Sequence, residues 1–157
     1  MQGITPFLWF DGKAEEAVKF YTSVFKNSKV GSVARYGEEG PGPKGTVMTA
    51  TFELAGQKFI ALNGGPQFKF TPAISFVVNC ENQQEVDELW EKLSAGGATQ
   101  QCGWLTDRYG VSWQIVPIAL GRMLQDPNPA KAGSVMKAML QMVKLDIAGL
   151  ERAYQQG

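Results

Sequence analysis

Apolar and polar positions along the chain switch between two periods, and the switches recur. Residues 4–10 form a short apolar run opened by Thr5 and Pro6, which predicts a strand. From about 13 to 26 the apolar residues Ala14, Ala17, Val18, Phe20, Tyr21, Val24 and Phe25 return at helical spacing, while Glu15, Glu16 and Lys19 face water. Asp11 or Gly12 is the expected cap, and acidic residues in the first turn with Lys26 in the last suit the helix dipole. Three β-rich runs follow at 29–36, 46–54 and 57–63. The order then repeats: a strand at 72–79, a helix from Asn82 to about Ala95, and strands at about 98–107 and 111–117 with a bend near Gly103. Asn82 with Glu85 three places on is a capping-box pattern, and Gly96-Gly97 ends the helix.

Individual landmarks align between the halves. Thr5-Pro-Phe-Leu-Trp-Phe10 is mirrored by Thr71-Pro-Ala-Ile-Ser-Phe76. Ala17, Phe20, Tyr21 and Val24 match Val86, Leu89, Trp90 and Leu93 in spacing, and Gly56, Phe59 and Leu62 match Gly110, Trp113 and Val116. This is an internal duplication of a βαβββ unit. The expected fold is therefore α+β, one domain over 1–157 with modules at 1–63 and 71–117 and a helical tail at 118–157. In the second module Asp107 and Gly110 occupy the ends of a type I turn, after which Val111, Trp113 and Ile115 alternate with Ser112 and Gln114.

The tail follows a different grammar. Residues 119–125 predict a short helix, 126–129 (DPNP) breaks it, and a longer helix is expected from about 131 to 154. Its apolar stripe is Met136, Met139, Leu140, Val143, Ile147 and Leu150. Such a Met-rich face packs on its own domain or covers a partner subunit.

Composition narrows the chemistry. In 157 residues the formal net charge is zero, without a Lys/Arg cluster, so nucleic acid is not an expected partner. No run approaches the length of a membrane span, and no export signal opens the chain, so the expected location is cytoplasmic. Histidine is absent, which removes the commonest general base and metal ligand. Cys80 and Cys102 have neither the number nor the spacing of a disulfide framework or a CxxC metal site, and read as reduced, packed thiols, with a reactive Cys102 near Gln100, Gln101 and Trp104 as the alternative. The glycine-rich stretch 37–45 joins strand to strand, whereas a phosphate cradle needs strand, loop, then helix. It reads as a mobile hairpin connection able to close over a ligand.

Two βαβββ modules, with Glu-Glu-Ala-Val-Lys-Phe-Tyr-Thr-Ser-Val-Phe25 in the first helix and the Asp107, Gly110, Trp113, Ile115 pattern in the last hairpin, resemble the vicinal oxygen chelate superfamily. This group includes glyoxalase I, bleomycin-resistance proteins and extradiol dioxygenases. Residues 59–70 (FIALNGGPQFKF) and 102–117 (CGWLTDRYGVSWQIVP) are similar to its PhnB-like branch, many of whose sequences carry the label 3-demethylubiquinone-9 3-methyltransferase. The resemblance covers about 3–120. It implies a curved, mostly antiparallel sheet with helices outside, a ligand cavity and frequent dimers, sometimes with modules contributed across the subunit boundary. Metal-using members place four ligands, mostly His and Glu, on the first and last strands of each module. Here those places hold Thr5, Ile60, Thr71 and Gln114, a poor donor set for a catalytic divalent ion. Neither does the chain carry the glycine-rich strand-to-helix turn with which many methyltransferases hold S-adenosylmethionine. No cofactor is expected.

Strand alternation then nominates side chains for a cavity. Phe7 and Trp9 share the face of Thr5, Ser75 that of Thr71, and Ser112 that of Gln114. Phe10, Phe59, Phe76 and Trp113 belong to the core beneath the helices. Trp9 and Trp104 are candidate stacking walls for a planar ligand. Arg108 is a candidate for an anionic group, although Asp107 and Arg108 read first as a solvated turn. The expected ligand-binding set is thus Thr5, Phe7, Trp9, Thr71, Ser75, Trp104, Arg108 and Gln114. The expected function is binding of a small, partly apolar or aromatic molecule by a homodimer without a tightly bound metal. The competing expectation is an enzyme of glyoxalase or dioxygenase type with a divergent metal site, or a methyltransferase. Among carboxylates, Glu53, Glu38 and Glu39 lie nearest to strand ends of the first module and look like turn and loop residues. In a third reading, the Met-rich tail provides the functional surface.

Overall fold

A computed structural model describes residues 2–157 as two compact units, the first ending at Phe70 and the second running over Thr71–Gly157. The first contains β1 (Phe7–Phe10), α1 (Ala14–Val24), β2 (Lys29–Arg35), β3 (Val47–Leu54) and β4 (Gln57–Asn63). Its sheet has the order β1-β4-β3-β2, parallel between β1 and β4 and antiparallel elsewhere. β1 is shorter than the 4–10 expected from sequence. Pro6 has no N–H to give to a ladder; its carbonyl accepts from Ile60 N at 3.0 Å, and Thr5 lies before the strand.

Alternation along these strands sends Leu8, Phe10, Ala50, Phe52, Phe59 and Ala61 to one face, all buried. There they meet Ala14, Ala17, Val18, Tyr21 and Val24 of α1. Tyr21, Phe52 and Phe59 stack with ring centroids 6.2 and 5.2 Å apart. Deleting a buried Phe ring from such a core typically costs about 3–5 kcal/mol. The cap of α1 differs from expectation: Lys13 occupies the cap position without a side-chain bond, and Ala14 N donates at 2.8 Å to Oδ1 of Asn63 at the far end of β4. The helix ends at Val24, before Lys26 can join its last turn.

The second unit repeats this plan with β5 (Ser75–Cys80), α2 (Gln83–Ser94), β6 (Ala98–Thr99), β7 (Trp104–Thr106) and β8 (Ser112–Pro117), in the order β5-β8-β7-β6. β5 runs parallel to β8, and β8 antiparallel to β7. Asn82 caps α2 as expected, accepting from Glu85 N at 2.9 Å, while the Glu85 carboxylate reaches back to Glu81 N. The expected strand at 98–107 is interrupted over 100–103. Cys102 and Gly103 take φ of 61° and 82°, and their N–H groups donate to the carbonyls of Met142 and Val143, each at 2.8 Å. Phe76 is half-buried rather than fully in the core, while Trp113 is buried as expected.

That pairing reshapes the tail. The long helix expected at 131–154 is two helices, α4 (Pro129–Met139) and α5 (Ile147–Gln156), after a short α3 (Ile118–Leu124). Between them the chain leaves helical geometry, offers its carbonyls to 102–103 and buries Leu145 completely. Asp146 then caps α5 by accepting from Gly149 N. Leu120, Met123, Val135, Leu145 and Leu150 form a core of their own. Asp126 accepts from the Tyr154 hydroxyl, which lowers the Asp126 pKa and raises that of Tyr154. No helix among the described residues is long and apolar enough to cross a membrane.

Candidate ligand-binding surfaces

The strand faces turned away from α1 and α2 carry the candidate chemistry. In the first unit two cross-strand rows stand side by side. Lys29, Glu53 and Lys58 are register partners across β2, β3 and β4, and Thr51, Ile60 and Phe7 follow across β3, β4 and β1. Opposite Thr51, β2 carries a bulge in which Gly31 and Ser32 face a single residue. Ser32 N donates to the Thr51 hydroxyl at 2.8 Å, and a Cβ on Gly31 would collide with that oxygen. Beside this pair lies a hollow of about 360 Å³ lined by Thr5, Lys29, Gly31, Glu53, Lys58 and Ile60, among others. Glu53, expected in a turn, lies in β3 with its side chain only 27% exposed and pairs with Lys29 at 3.7 Å.

Trp9 is half-buried, and its N–H donates to Gly65 O at 2.8 Å. Phe68 meets its ring edge-on at 4.9 Å, and Gly64 packs against the indole. The connector after β4 therefore occupies much of the surface expected to stack on a ligand. Phe7 is 54% exposed. A second hollow, of about 520 Å³, lies between this connector and the glycine-rich loop. The loop joins strand to strand, as expected, and wraps around Tyr36, against whose ring Gly40 and Gly42 pack. The Tyr36 hydroxyl donates to Asn63 O.

In the second unit three of the expected residues come together. Trp104 and Val77 are the register partners of Gln114 on either side, and Ser75 pairs with Ser112, which is buried. Gln114 Nε2 donates to Ser75 Oγ at 2.9 Å, so this half-buried amide has one protein partner and its carbonyl oxygen remains available. Trp104 is half-buried, and among the described residues its indole N–H has no acceptor. The other two lie apart from this group. Thr71 is exposed before β5, its hydroxyl accepting from Ala73 N, and Arg108 is exposed with Nε donating to Ala95 O at 3.2 Å.

Asp107 corrects the solvated-turn expectation. It is 2% exposed, and its carboxylate accepts from Tyr109 N at 2.8 Å, Val111 N at 3.1 Å and Trp113 Nε1 at 2.8 Å. The turn itself forms as expected, with Gly110 N donating to Asp107 O. Cys80 is fully buried, and that burial, with the Glu85 charge adding to it, pushes the thiol up to about 11. At neutral pH it is a protonated, unreactive group. Cys102 is half-buried.

The implied metal positions fit no catalytic ion. Ile60 has no donor atom, the Thr71 hydroxyl bonds its own turn, and Gln114 offers only a neutral amide oxygen. Among the described residues no three His, Cys, Asp or Glu side chains cluster to hold an ion. The strand-to-helix turns at 11–13 and 81–82 contain Gly12 as their one glycine, so neither is the glycine-rich cradle of a doubly wound nucleotide site. Lys29, Thr51 and Lys58 escaped the sequence reading, although the alternation that selected Thr5 and Ile60 also selects them.

A βαβββ unit used twice, each copy a four-stranded sheet with one parallel pair and a helix on one face, defines the α+β class of the vicinal oxygen chelate proteins. The chain belongs to the 3-demethylubiquinone-9 3-methyltransferase family, the PhnB-like branch of that superfamily, whose profile matches residues 2–116. A PhnB protein from Bacillus cereus is 47% identical, with 74% of this chain covering 99% of that one at a TM-score of 0.68. A Pseudomonas aeruginosa protein shares the fold at 22% identity and a TM-score of 0.63, covering 74% and 98% of the two chains. So does a fosfomycin resistance protein from Listeria monocytogenes, at 16% identity and 0.52, covering 74% and 93%. No curated protein matches the chain.

Proposed function

We propose that this protein binds a small, partly aromatic or apolar molecule, holds it without a tightly bound catalytic metal, and works in the cytoplasm as a homodimer. The observation that carries the reading is Trp104. Its half-buried indole has an uncommitted N–H, and beside it Gln114 has one amide oxygen to spare. A wall that stacks a planar group, with one donor and one acceptor at its edge, is the usual composition of a small-molecule site. The set of Thr, Ile, Thr and Gln at the implied metal positions supports binding by shape and hydrogen bonding.

The test is a fluorescence titration with neutral planar compounds such as quinoline and 1-naphthol. Saturable quenching in the native chain that disappears in Trp104→Leu is expected. Quenching that survives the substitution, or no saturable change at all, overturns the assignment. The family description favours a second reading, methyl transfer. That reading requires S-adenosylmethionine to bind, and calorimetry showing stoichiometric binding of that cofactor would replace the first reading with the second.

A further inference from the structure

We infer that the hollow beside Gly31 is a binding site for a small monocarboxylate, an inference that rests on the small-molecule reading above and names a ligand class for the first unit. The bulge in β2 sets Gly31 against Thr51, whose hydroxyl occupies the place a Cβ would take, and the cavity opens beside this pair. Around it stand two ammonium groups and one carboxylate. Glu53 is claimed by Lys29, at a loose 3.7 Å, whereas Lys58 forms no ion pair among the described residues although Glu53 is its register partner. The local balance is one surplus positive charge. Ile60, two places along β4 from Lys58, supplies an apolar wall on the same face. A ligand with one negative charge at one end and a compact apolar body at the other satisfies both. A cation would meet two ammonium groups, and a dianion would exceed the surplus. Because Lys58 is exposed, its attraction is modest, of the order of a factor of five in affinity, and weakens with salt.

Benzoate and its neutral isostere benzamide separate the charge from the ring. With the amides of the intact chain followed by heteronuclear NMR, benzoate is expected to shift Gly31, Thr51, Lys58 and Ile60 saturably. Benzamide is expected to bind about five-fold more weakly, and Lys58→Glu to weaken benzoate by more than that while leaving benzamide unchanged. Raising salt from 20 to 500 mM, both chosen for the assay, should narrow the difference between the two probes. Equal binding of both probes, indifference to Lys58→Glu, or no shift at these amides overturns the inference. The parent reading fails separately, because it is judged by neutral compounds at Trp104. Quenching there with no benzoate shift in the first unit leaves the small-molecule reading standing and removes the carboxylate site.

Discussion

Asp107 is the residue whose role the sequence least disclosed and whose replacement is easiest to interpret. Its carboxylate is a buried acceptor for two backbone N–H groups on one oxygen and for the Trp113 indole on the other. Asn is nearly isosteric, yet its amide has one acceptor oxygen. Whichever way the amide turns, an NH₂ faces a donor. Asp107→Asn is therefore expected to lose about 2–3 kcal/mol, the usual penalty for leaving a buried polar group unmatched where the original bonds were to a charged group. For a chain of this length that is a fall in Tm of about 5–10 °C, with a shift in near-ultraviolet circular dichroism from the displaced indole. A Tm within about 2 °C of the native value would show that the turn repacks at little cost. An aspartate opening a type I turn looks the same in sequence whether its carboxylate faces water or the core. Only the indole at Trp113, brought back by the hairpin, decides between them.

At the level of elements, the parts legible in advance were those whose period and termini agree. The two βαβββ modules, the α2 cap at Asn82, the β4 strand and the type I turn all follow from local pattern. What stayed illegible depends on partners distant in sequence. Asn63 caps α1 across 49 residues, and the break between α4 and α5 is made by bonds to Cys102 and Gly103. Apolar spacing at 136–150 remains helical right through that break. Gln83 is the joint that fixes it: Nε2 donates to Leu145 O at 3.0 Å and Oε1 accepts from Ile147 N at 2.8 Å. Beside it Lys144 pairs with Asp87 at 2.8 Å, which, with the Gln83 amide, holds the Asp87 carboxyl below its ordinary range. Gln83→Leu is expected to loosen 140–147 locally by about 1–2 kcal/mol, the worth of two such hydrogen bonds, without disturbing either sheet. Hydrogen exchange at Ile147 N should accelerate by about 5- to 30-fold, with faster tryptic cleavage after Lys144. Unchanged protection would place the anchor in Leu145 burial instead.

For the whole molecule, the question is which surface carries the proposed pairing of two chains. Two apolar groups compete. The tail exposes Met136, Leu140 and Val143, at 41, 51 and 47%, and the edge strand β2 exposes Val30 and Val33, at 50 and 44%. The family profile ends at residue 116, and the 47%-identical Bacillus cereus chain is covered almost to its full length by 74% of this one. A pairing surface belonging to the family has to lie in the shared part, which contains β2 and excludes α4. An edge strand with unpaired backbone groups and two exposed valines is also the kind of surface that a second chain covers readily. Val33→Glu is therefore expected to halve the mass observed by sedimentation equilibrium, and Leu140→Glu to leave it at two chains. Both positions are exposed, so neither charge is forced into a core. The reverse pattern would transfer the interface to the tail and make that surface an addition particular to this chain. A single-chain mass in the native protein would remove the pairing altogether and leave the two sheet faces to act within one molecule.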